Sequence, residues 1–448
     1  MVFDFIELEK DKRGGLYRTL YIKIKRAAEC GAIKKGERLP SVREAAAQLG
    51  VSRTTVENAY TQLCIEGIAE SLPQRGYFIT GNKPGNINPV ASIKVESNIK
   101  YDFSSRSIDV AAADTELWKK KVRSVLWDSG ELTSYGEPQG ERGLREALSA
   151  YSYKARGVVA SPDNIVVGAG IGPLLNILCG LTGRDITVGF QNGGFNTAES
   201  IFYDYGIKTQ ILDCDLSGAT IESVEKSDIN VLFLIPSALS KISVTALAKR
   251  RNEYSDWLKN GDRIVIEDDY NGELRYTARS VPAFQGKSPE STVYIGSFSK
   301  LLLPSVRIAY MVLPPRLAQV FRARKHCFNQ TCGKIEQLAL TEYISSGALE
   351  KQLKRLRRLY YSKSQLLIKE LKENLKIPFE AVLYESSLTI ELQTELGFES
   401  GAICRVAEEK GLRLMPSSNK GAVRLCFAGI ATEKIPDAVK LLTRILLQ

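Results

Sequence analysis

The 448-residue sequence predicts an α/β protein with a small helical N-terminal unit and a larger unit built on a mostly parallel sheet. Residues 1–80 contain short amphipathic helices separated by glycines. Residues 81–100 are rich in Gly, Asn and Pro without an apolar period, which is typical of a connector. Over residues 101–448, short β-rich apolar runs alternate with helical stretches, and a smaller α+β lobe is predicted from residue 362 onward.

The N-terminal unit is predicted to form three helices and a β-hairpin. Residues 16–31 have apolar positions at helical spacing and end in glycine. Ser41 and Glu44 have the spacing of a capping box, so a second helix begins there and ends at Gly50. Ser52 is suited to cap a third helix. Two short helices joined by a tight turn and followed by two short strands indicate a winged helix-turn-helix.

A winged helix-turn-helix places the N-terminal residues of its second helix in the major groove of DNA. Here those residues offer one guanidinium and three hydroxyls, which can bond to base edges. A second arginine at the start of the preceding helix can reach phosphate or guanine, and the hairpin tip pairs an arginine with a glycine. The predicted contacts to double-stranded DNA are Arg43, Ser52, Arg53, Thr54, Thr55, Arg75 and Gly76. The alternative is a generic helical cap domain with surface arginines.

The composition narrows the class of protein. A net charge of +10 and a pI near 9.0 permit an acidic partner such as nucleic acid. The eight cysteines are scattered, and together with the single His326 they leave little from which to build a disulfide framework or a metal site, so no metal is predicted. The sequence lacks an apolar run of about 18 residues and a signal-peptide pattern, which predicts a cytoplasmic protein without a membrane span.

Polar residues follow several predicted strands of the larger unit. Lys300 ends one apolar run, and a lysine whose pKa is lowered by burial can form a Schiff base. Pyridoxal phosphate (PLP) is the common cofactor for such a lysine, and it also needs an acid at its ring nitrogen and a phosphate site. Asp268 ends another apolar strand and is the candidate acid, with Tyr270 two residues further on.

A phosphate site is also suggested by the residue types at these strand ends. Ser297, Ser299 and Arg307 supply hydroxyls and a guanidinium. The glycine-rich segment 168–172 lies between a strand and a helix, where backbone N–H groups bind anions. Each feature alone is common in proteins, since most lysines and acids are solvated. Their joint occurrence, each at the end of a strand, favours a cofactor site.

Two parts of the sequence resemble known families. Residues 16–79 resemble the winged helix-turn-helix of GntR-type regulators through LPSVREAAAQLGVSRTTVENAYTQL and RGYFI, and Arg43, Arg53 and Gly76 match positions that this family uses at its operators. Residues 101–448 resemble the fold-type I aminotransferases through IVIEDDYNGELRY, GSFSKLLLPSVRIAYMVLP and VRLCFAGI. The whole chain resembles the MocR-type regulators, which fuse a GntR-type DNA reader to an aminotransferase-like domain.

The resemblance implies pyridoxal 5'-phosphate as cofactor, with Lys300 as the Schiff-base lysine and Asp268 at the ring nitrogen. Phe195 would stack on the ring, and Arg424 would bind the α-carboxylate of an amino effector. Tyr135 would reach the phosphate of the partner subunit's cofactor, which implies a domain-swapped homodimer. The residues implied at the phosphate are Ser297, Ser299, Arg307, Ile171 and Gly172.

The sequence departs from the aminotransferase pattern in two places. A Pro-Thr-Gly loop usually borders the cofactor, whereas residues 235–243 read IPSALSKIS. The segment GAGIGP at 168–173 lacks the usual glutamine side chain. Neither departure removes Lys300 or Asp268, but both lower the expectation of efficient transamination.

Two functions are consistent with these features. The first is a PLP-dependent, DNA-binding transcription regulator that senses an amino compound, or PLP itself, through a Schiff base at Lys300. The second is a working PLP-dependent aminotransferase that carries an accessory DNA-binding module. A regulator whose large domain no longer binds PLP is a third, minor alternative. The complete winged helix, the altered loop and the connector favour the first function.

Overall fold

The computed structural model divides the chain into two compact units, Met1–Glu96 and Ser97–Gln448. The structure describes residues 15–80, 99–104, 107–127, 129–191, 196–236, 244–276, 281–384 and 388–448. Within these ranges no helix is long and apolar enough to cross a membrane. The same ranges contain no group of three or more His, Cys, Asp or Glu side chains that could hold a metal ion.

The first unit is a winged helix-turn-helix, as the sequence predicts. The Ser41 hydroxyl accepts from the Glu44 N–H and the Glu44 carboxylate accepts from the Ser41 N–H, so the capping box is present. Gly50 ends the second helix with φ 65°, and Ser52 caps the third by accepting from the Thr55 N–H at 3.1 Å. The elements are α1 (Leu16–Glu29), α2 (Val42–Leu49), α3 (Arg53–Ile65), β1 (Ala69–Leu72) and β2 (Gly76–Ile79).

This unit has a hydrophobic core of its own. Leu20 and Ile24 of α1 pack with Val56, Tyr60 and Leu63 of α3, and all five side chains are buried. Burial of each such side chain contributes on the order of 1.5–3 kcal/mol to folding. The core fixes α3 against α1 and leaves the opposite face of α3 exposed.

The larger unit alternates strands and helices along the chain before it changes to a mixed lobe. Its elements up to residue 312 are β3 (Tyr101–Asp102), α4 (Thr115–Trp127), α5 (Arg142–Arg156), β4 (Ile165–Gly168), α6 (Ile171–Thr182), β5 (Thr187–Gln191), α7 (Asn196–Asp204), β6 (Lys208–Leu212), β7 (Cys214–Asp215), β8 (Gly218–Ala219), α8 (Ile221–Lys226), β9 (Val231–Leu234), α9 (Val244–Leu258), β10 (Ile264–Asp268), β11 (Thr292–Ser297) and β12 (Ala309–Val312). The later elements are α10 (Pro315–Arg324), α11 (Lys334–Ser345), α12 (Ala348–Asn374), β13 (Phe379–Tyr384), β14 (Thr389–Thr394), α13 (Ser400–Glu409), β15 (Leu412–Arg413), β16 (Met415–Pro416), β17 (Ala422–Cys426) and α14 (Ile435–Leu446).

A seven-stranded sheet forms the centre of this unit, in the order β4-β12-β11-β10-β9-β5-β6. Only β12 runs antiparallel to its neighbours, so the predicted mostly parallel sheet is confirmed. Every residue of β4, β9, β10 and β12 is buried, as expected for a sheet covered on both faces. Asp268 pairs with Ile295, which brings the carboxyl ends of β10 and β11 to the same edge.

The C-terminal lobe is built on a four-stranded antiparallel sheet in the order β13-β14-β17-β16. The lobe predicted from residue 362 would begin inside α12, a continuous helix of 27 residues. The run from 351 to 363 contains no glycine or proline that would end a helix, so the change of lobe coincides with no break in the chain.

The segment that follows the connector is bound into the C-terminal lobe. β3 pairs with β15 in parallel, and the Cys426 N–H donates to the Phe103 carbonyl at 2.8 Å. Lys363, which is fully buried, forms an ion pair with Asp109 at 2.7 Å. These contacts fix the start of the larger unit against β17 and α12.

Candidate functional site

The predicted site residues of the larger unit gather at one edge of the central sheet. Asp268 is the last residue of β10 and Ser297 is the last residue of β11. Lys300 follows three residues after the end of β11, in a turn. The carboxyl ends of neighbouring parallel strands meet at such an edge, where open α/β sheets bind ligands.

The Lys300 amine lies in a partly buried position. Its Nζ donates to the carbonyl of Ser107 at 2.9 Å. Burial lowers the pKa of this amine, although the nearby Cys426 and Asp102 act in the opposite direction. A lysine with a lowered pKa spends more time unprotonated, which is the form that attacks a carbonyl carbon.

The Asp268 carboxyl is buried, and the described part of the chain places no cation against it. Only 5% of the residue is exposed, and burial, followed by repulsion from Asp269, raises its pKa to about 7. Among the described residues it forms no hydrogen bond or ion pair through its side chain. A buried carboxylate without a partner is costly, and a cationic group placed against it would remove that cost.

Ser297 and Ser299 lie side by side in the turn that leads to Lys300. The Ser297 hydroxyl donates to the Ser299 hydroxyl at 3.2 Å and accepts from the Ser299 N–H at 3.3 Å. Both residues are only partly buried. Two hydroxyls and a turn N–H held this closely can be presented together to an anion.

The Arg307 guanidinium lies against the start of α6. A Cβ placed on Gly170 would come within 2.5 Å of Nη2 of Arg307, which shows how closely the guanidinium approaches this backbone. Gly170 precedes Ile171 and Gly172 without a side-chain cap, with φ 98°. Within the described part of the chain the Arg307 side chain has no hydrogen-bond or ion-pair partner. A guanidinium over uncapped helical N–H groups is suited to bind a phosphate.

The remaining predicted cofactor residues are placed in different ways. Tyr270 is partly buried and packs against a hydrophobic cluster formed by the central sheet with α6, α7 and α10. Tyr135 is fully exposed, at 104% of its reference area. Phe195 and residues 237–243 of the altered loop lie outside the described residues. In the described part of that loop, the Ile235 N–H donates to the Gln191 side chain at 3.0 Å.

A buried cluster of charged and hydroxyl side chains around Asp269, next to Asp268 in sequence, was not predicted. Arg156, at the end of α5, pairs with Asp269 at 2.6 Å, and the Tyr294 hydroxyl donates to the same carboxylate at 3.1 Å. The Tyr151 hydroxyl donates to Glu273 at 3.1 Å. The acidic residues of EDDYNGE can be seen in the sequence as candidates for buried charges. Arg156, which pairs with Asp269, is 113 residues away, so the pair itself could not be predicted. The cluster ties α5 to the strand that carries Asp268.

Arg424, the predicted carboxylate-binding residue, lies on β17 and already has an anionic partner. Its Nε donates to Glu391 at 2.7 Å, and its guanidinium lies 5.9 Å from the centre of the Tyr384 ring. Glu391 stands directly opposite Arg424 on β14. Glu391 was not predicted, because cross-strand pairing depends on a register that local patterns do not reveal.

The first unit presents its predicted DNA contacts on an exposed surface. Arg43, Arg53 and Thr54 are exposed at the starts of α2 and α3. Ser52 and Thr55 are less available to bond to DNA, because their hydroxyls lie 2.8 Å apart and the Ser52 hydroxyl caps the helix. The positions are those of the helix that enters a major groove and of its neighbour.

The hairpin tip contributes the other predicted contacts and one residue that was missed. Arg75 is exposed in the turn, and Gly76 has φ 101°. The Arg38 guanidinium lies against Gly76, since a Cβ there would be 3.2 Å from its Nε. Arg38 reaches the hairpin through a bridge with Phe78. Arg38 and Arg75 therefore give the tip two basic side chains.

Comparison with known proteins agrees with the two units. Residues 16–79 match the model of the bacterial regulatory proteins of the gntR family, and residues 98–442 match aminotransferase class I and II. The HTH-type transcriptional regulator YdeL of Bacillus subtilis (strain 168) is 32% identical over 445 residues, covering 95% of each chain. The HTH-type pyridoxine biosynthesis transcriptional regulator PdxR of Corynebacterium glutamicum is 29% identical, covering 75% of this chain and 74% of PdxR.

A solved structure shows the same fold in the larger unit. The crystal structure of an archaeal alanine:glyoxylate aminotransferase has a TM-score of 0.69 at 20% identity, covering 78% of this chain and 90% of that one. The fold-type I aminotransferase architecture predicted for residues 101–448 is thereby confirmed. With a gntR-family reader at one end and an aminotransferase class I and II domain over the rest, the chain belongs to the MocR-type family of HTH transcriptional regulators.

Proposed function

We propose that this protein is a PLP-dependent transcription regulator. Residues 1–80 bind double-stranded operator DNA, residues 81–100 connect the two domains, and residues 101–448 hold PLP and respond to an amino compound or to PLP itself. The observation that carries the proposal is the buried Asp268 carboxyl, to which the described residues offer no cation, at a sheet edge that also presents Lys300 and Arg307.

The residues at this edge fit PLP in three respects. A protonated pyridine nitrogen would supply the cation that Asp268 lacks, and its charge would return the carboxyl to the ionised state. Arg307, Ser297 and Ser299 would hold the phosphate together with the first N–H groups of α6. Lys300 would supply the amine that bonds to the aldehyde carbon. When bound, PLP provides an electrophilic carbon that exchanges amines.

The Ser107 carbonyl joins Lys300 to the chain segment that follows the connector. It accepts a hydrogen bond from the Lys300 amine at 2.9 Å. A Schiff base at Lys300 would use the same nitrogen, so the Ser107 carbonyl would lose a charge-assisted hydrogen bond. Ser107 belongs to the segment that follows the connector, and we propose that this segment carries the state of Lys300 towards the DNA-binding domain.

A second subunit would complete the proposed site. Tyr135 is fully exposed, and Trp127 at the end of α4 is 93% exposed. Exposed aromatic side chains of this size are typical of surfaces that another chain covers. We propose a domain-swapped homodimer in which Tyr135 reaches the phosphate in the partner's site.

A working aminotransferase is the second candidate function. The observation that favours it is that Lys300, Asp268 and Arg424 all occupy an aminotransferase class I and II domain. Purified protein with PLP, a panel of amino acids and 2-oxo acids separates the candidates. Sustained product formation over many turnovers would exclude a purely regulatory role.

Borohydride reduction tests the cofactor assignment directly. Protein incubated with PLP and reduced with borohydride should carry one added phosphopyridoxyl group on the tryptic peptide that contains Lys300. Reduction of Lys300→Ala protein under the same conditions is the control. A modification found elsewhere, or none on wild-type protein, would refute the proposed site.

A further inference from the structure

Arg424 and Glu391 form a fixed cross-strand pair. They stand opposite each other on the antiparallel strands β17 and β14, and Nε of Arg424 donates to Glu391 Oε2 at 2.7 Å. The Glu391 side chain is 5% exposed, whereas that of Arg424 is 33% exposed. The anion of the pair is therefore buried, and only the cation reaches towards solvent.

The Glu391 carboxylate is anchored by more than Arg424. The Ser417 hydroxyl donates to Oε2 at 3.1 Å, and the Asn419 amide donates to Oε1 at 2.8 Å. Three donors keep this carboxylate in place. Withdrawing Arg424 would leave a buried charge without its counter-ion, which is strongly unfavourable. The pair is thus expected to persist when a ligand enters.

Arg424 lies on the strand that ends beside Lys300. The Lys300 Nζ donates to the Ser107 carbonyl at 2.9 Å, and the Asp109 N–H, two residues further on, donates to the Ala428 carbonyl at 2.8 Å, just beyond β17. By the resemblance to the aminotransferases, Arg424 is the residue that would meet the carboxylate of a ligand joined to Lys300. Its charge is already balanced within the cross-strand pair.

We propose that Glu391 determines the specificity of the effector site by neutralising Arg424. An incoming α-carboxylate could reach only the terminal nitrogens of the guanidinium, and it would meet the Glu391 charge across the same group. An effector without an α-carboxylate, such as a simple amine or PLP itself, avoids this repulsion. The inference rests on the proposed function, because it assumes an amine-exchanging site at Lys300.

Matched ligand pairs test the proposal on the full-length protein loaded with PLP. Each pair is an amino acid and its decarboxylated amine: L-leucine with 3-methylbutylamine, and L-tyrosine with tyramine. Affinities are read from the change in the cofactor absorbance band. Wild-type protein is expected to bind the two members of each pair within about tenfold, since the carboxylate gains little from a neutralised guanidinium.

A charge-removing variant supplies the second measurement. Glu391→Gln should tighten binding of the amino acids about tenfold or more and leave the affinity for the amines unchanged within about twofold. Glu380→Gln, at an exposed position of β13, is the control for loss of one acid and should change neither affinity. Melting temperatures of both variants verify that each is folded.

The opposite results would assign a different role to Glu391. If wild-type protein prefers amino acids by more than tenfold, or if Glu391→Gln weakens their binding, Glu391 orients Arg424 to bind carboxylates and the proposal is wrong. The wild-type ratio decides alone if the variant does not fold. Absence of any cofactor band would overturn the proposed function itself, and the inference with it, and is distinct from a measured preference for carboxylates.

Discussion

Replacement of Asp268 by Asn is expected to stabilise the cofactor-free protein and to lower its affinity for PLP. Asp268 is 5% exposed, and the described residues offer its carboxylate no cation. The folded protein therefore bears the cost of a buried charge that a cationic ligand could balance. Asn keeps the shape of the side chain and removes the charge.

The magnitude follows from the pKa. Burial raises the pKa of Asp268 from 3.8 to about 7 in the folded chain. Between these values the folded protein retains a proton that the unfolded chain has lost, so its stability falls as the pH rises from about 4 to about 7. One pH unit corresponds to about 1.4 kcal/mol, so roughly three units give an upper limit of about 4 kcal/mol. Below about pH 4 both states are protonated and the cost is absent.

Thermal unfolding of cofactor-free protein at pH 5 and pH 8 measures this effect. Asp268→Asn should have a higher Tm than wild type at pH 8, and the difference should be smaller at pH 5. Asp204→Asn, at an exposed position of α7, controls for the loss of one carboxylate. The affinity for PLP should fall about 10- to 100-fold, because a charge-assisted hydrogen bond to the ring nitrogen is lost. A lower Tm than wild type at pH 8 would refute the reasoning.

Three further substitutions separate the parts of the proposal. Arg53→Ala should weaken operator binding by about 1–3 kcal/mol and leave the PLP spectrum intact, with Arg18→Ala on α1 as the control; unchanged operator affinity, measured by fluorescence anisotropy, would exclude the assigned docking. Lys300→Ala should prevent borohydride trapping of PLP yet keep the operator affinity of the PLP-free protein within about twofold; a larger loss would mean that Lys300 also supports the fold. Arg156→Met should destabilise the protein by about 3–5 kcal/mol, since it leaves the buried Asp269 carboxylate without its cation. Adding Asp269→Asn should recover part of that loss in Tm, and no recovery would contradict the ion-pair assignment.

Local features of the sequence predicted most of the fold. The capping box at Ser41 and Glu44, the glycine at position 50 and the cap at Ser52 act within a few residues, and the structure contains all of them. Apolar runs that alternate with helical stretches likewise indicated the parallel sheet. The lobe boundary predicted at residue 362 falls inside α12, which crosses it without any local break.

Features that depend on distant contacts were not predictable in the same way. Glu391 is 33 residues from Arg424, and their contact arises only from the register of β14 with β17. The Arg156–Asp269 pair joins the end of α5 to the end of β10. Lys300 was predicted from its position after a strand, but its hydrogen bond to Ser107 spans 193 residues. The ends of predicted strands thus identify candidate site residues. The residues that pair with them, and so influence their ionisation, are brought close only by the tertiary fold.

In the proposed function, occupancy of Lys300 by PLP alters DNA binding. The most direct measurement is the operator affinity of the full-length protein with and without saturating PLP, using an operator selected from a random-sequence DNA pool. PLP should change the affinity of wild-type protein by about fivefold or more and should leave that of Lys300→Ala unchanged. If PLP is trapped on Lys300 while the operator affinity stays the same, the account of this protein as a PLP-responsive regulator is contradicted.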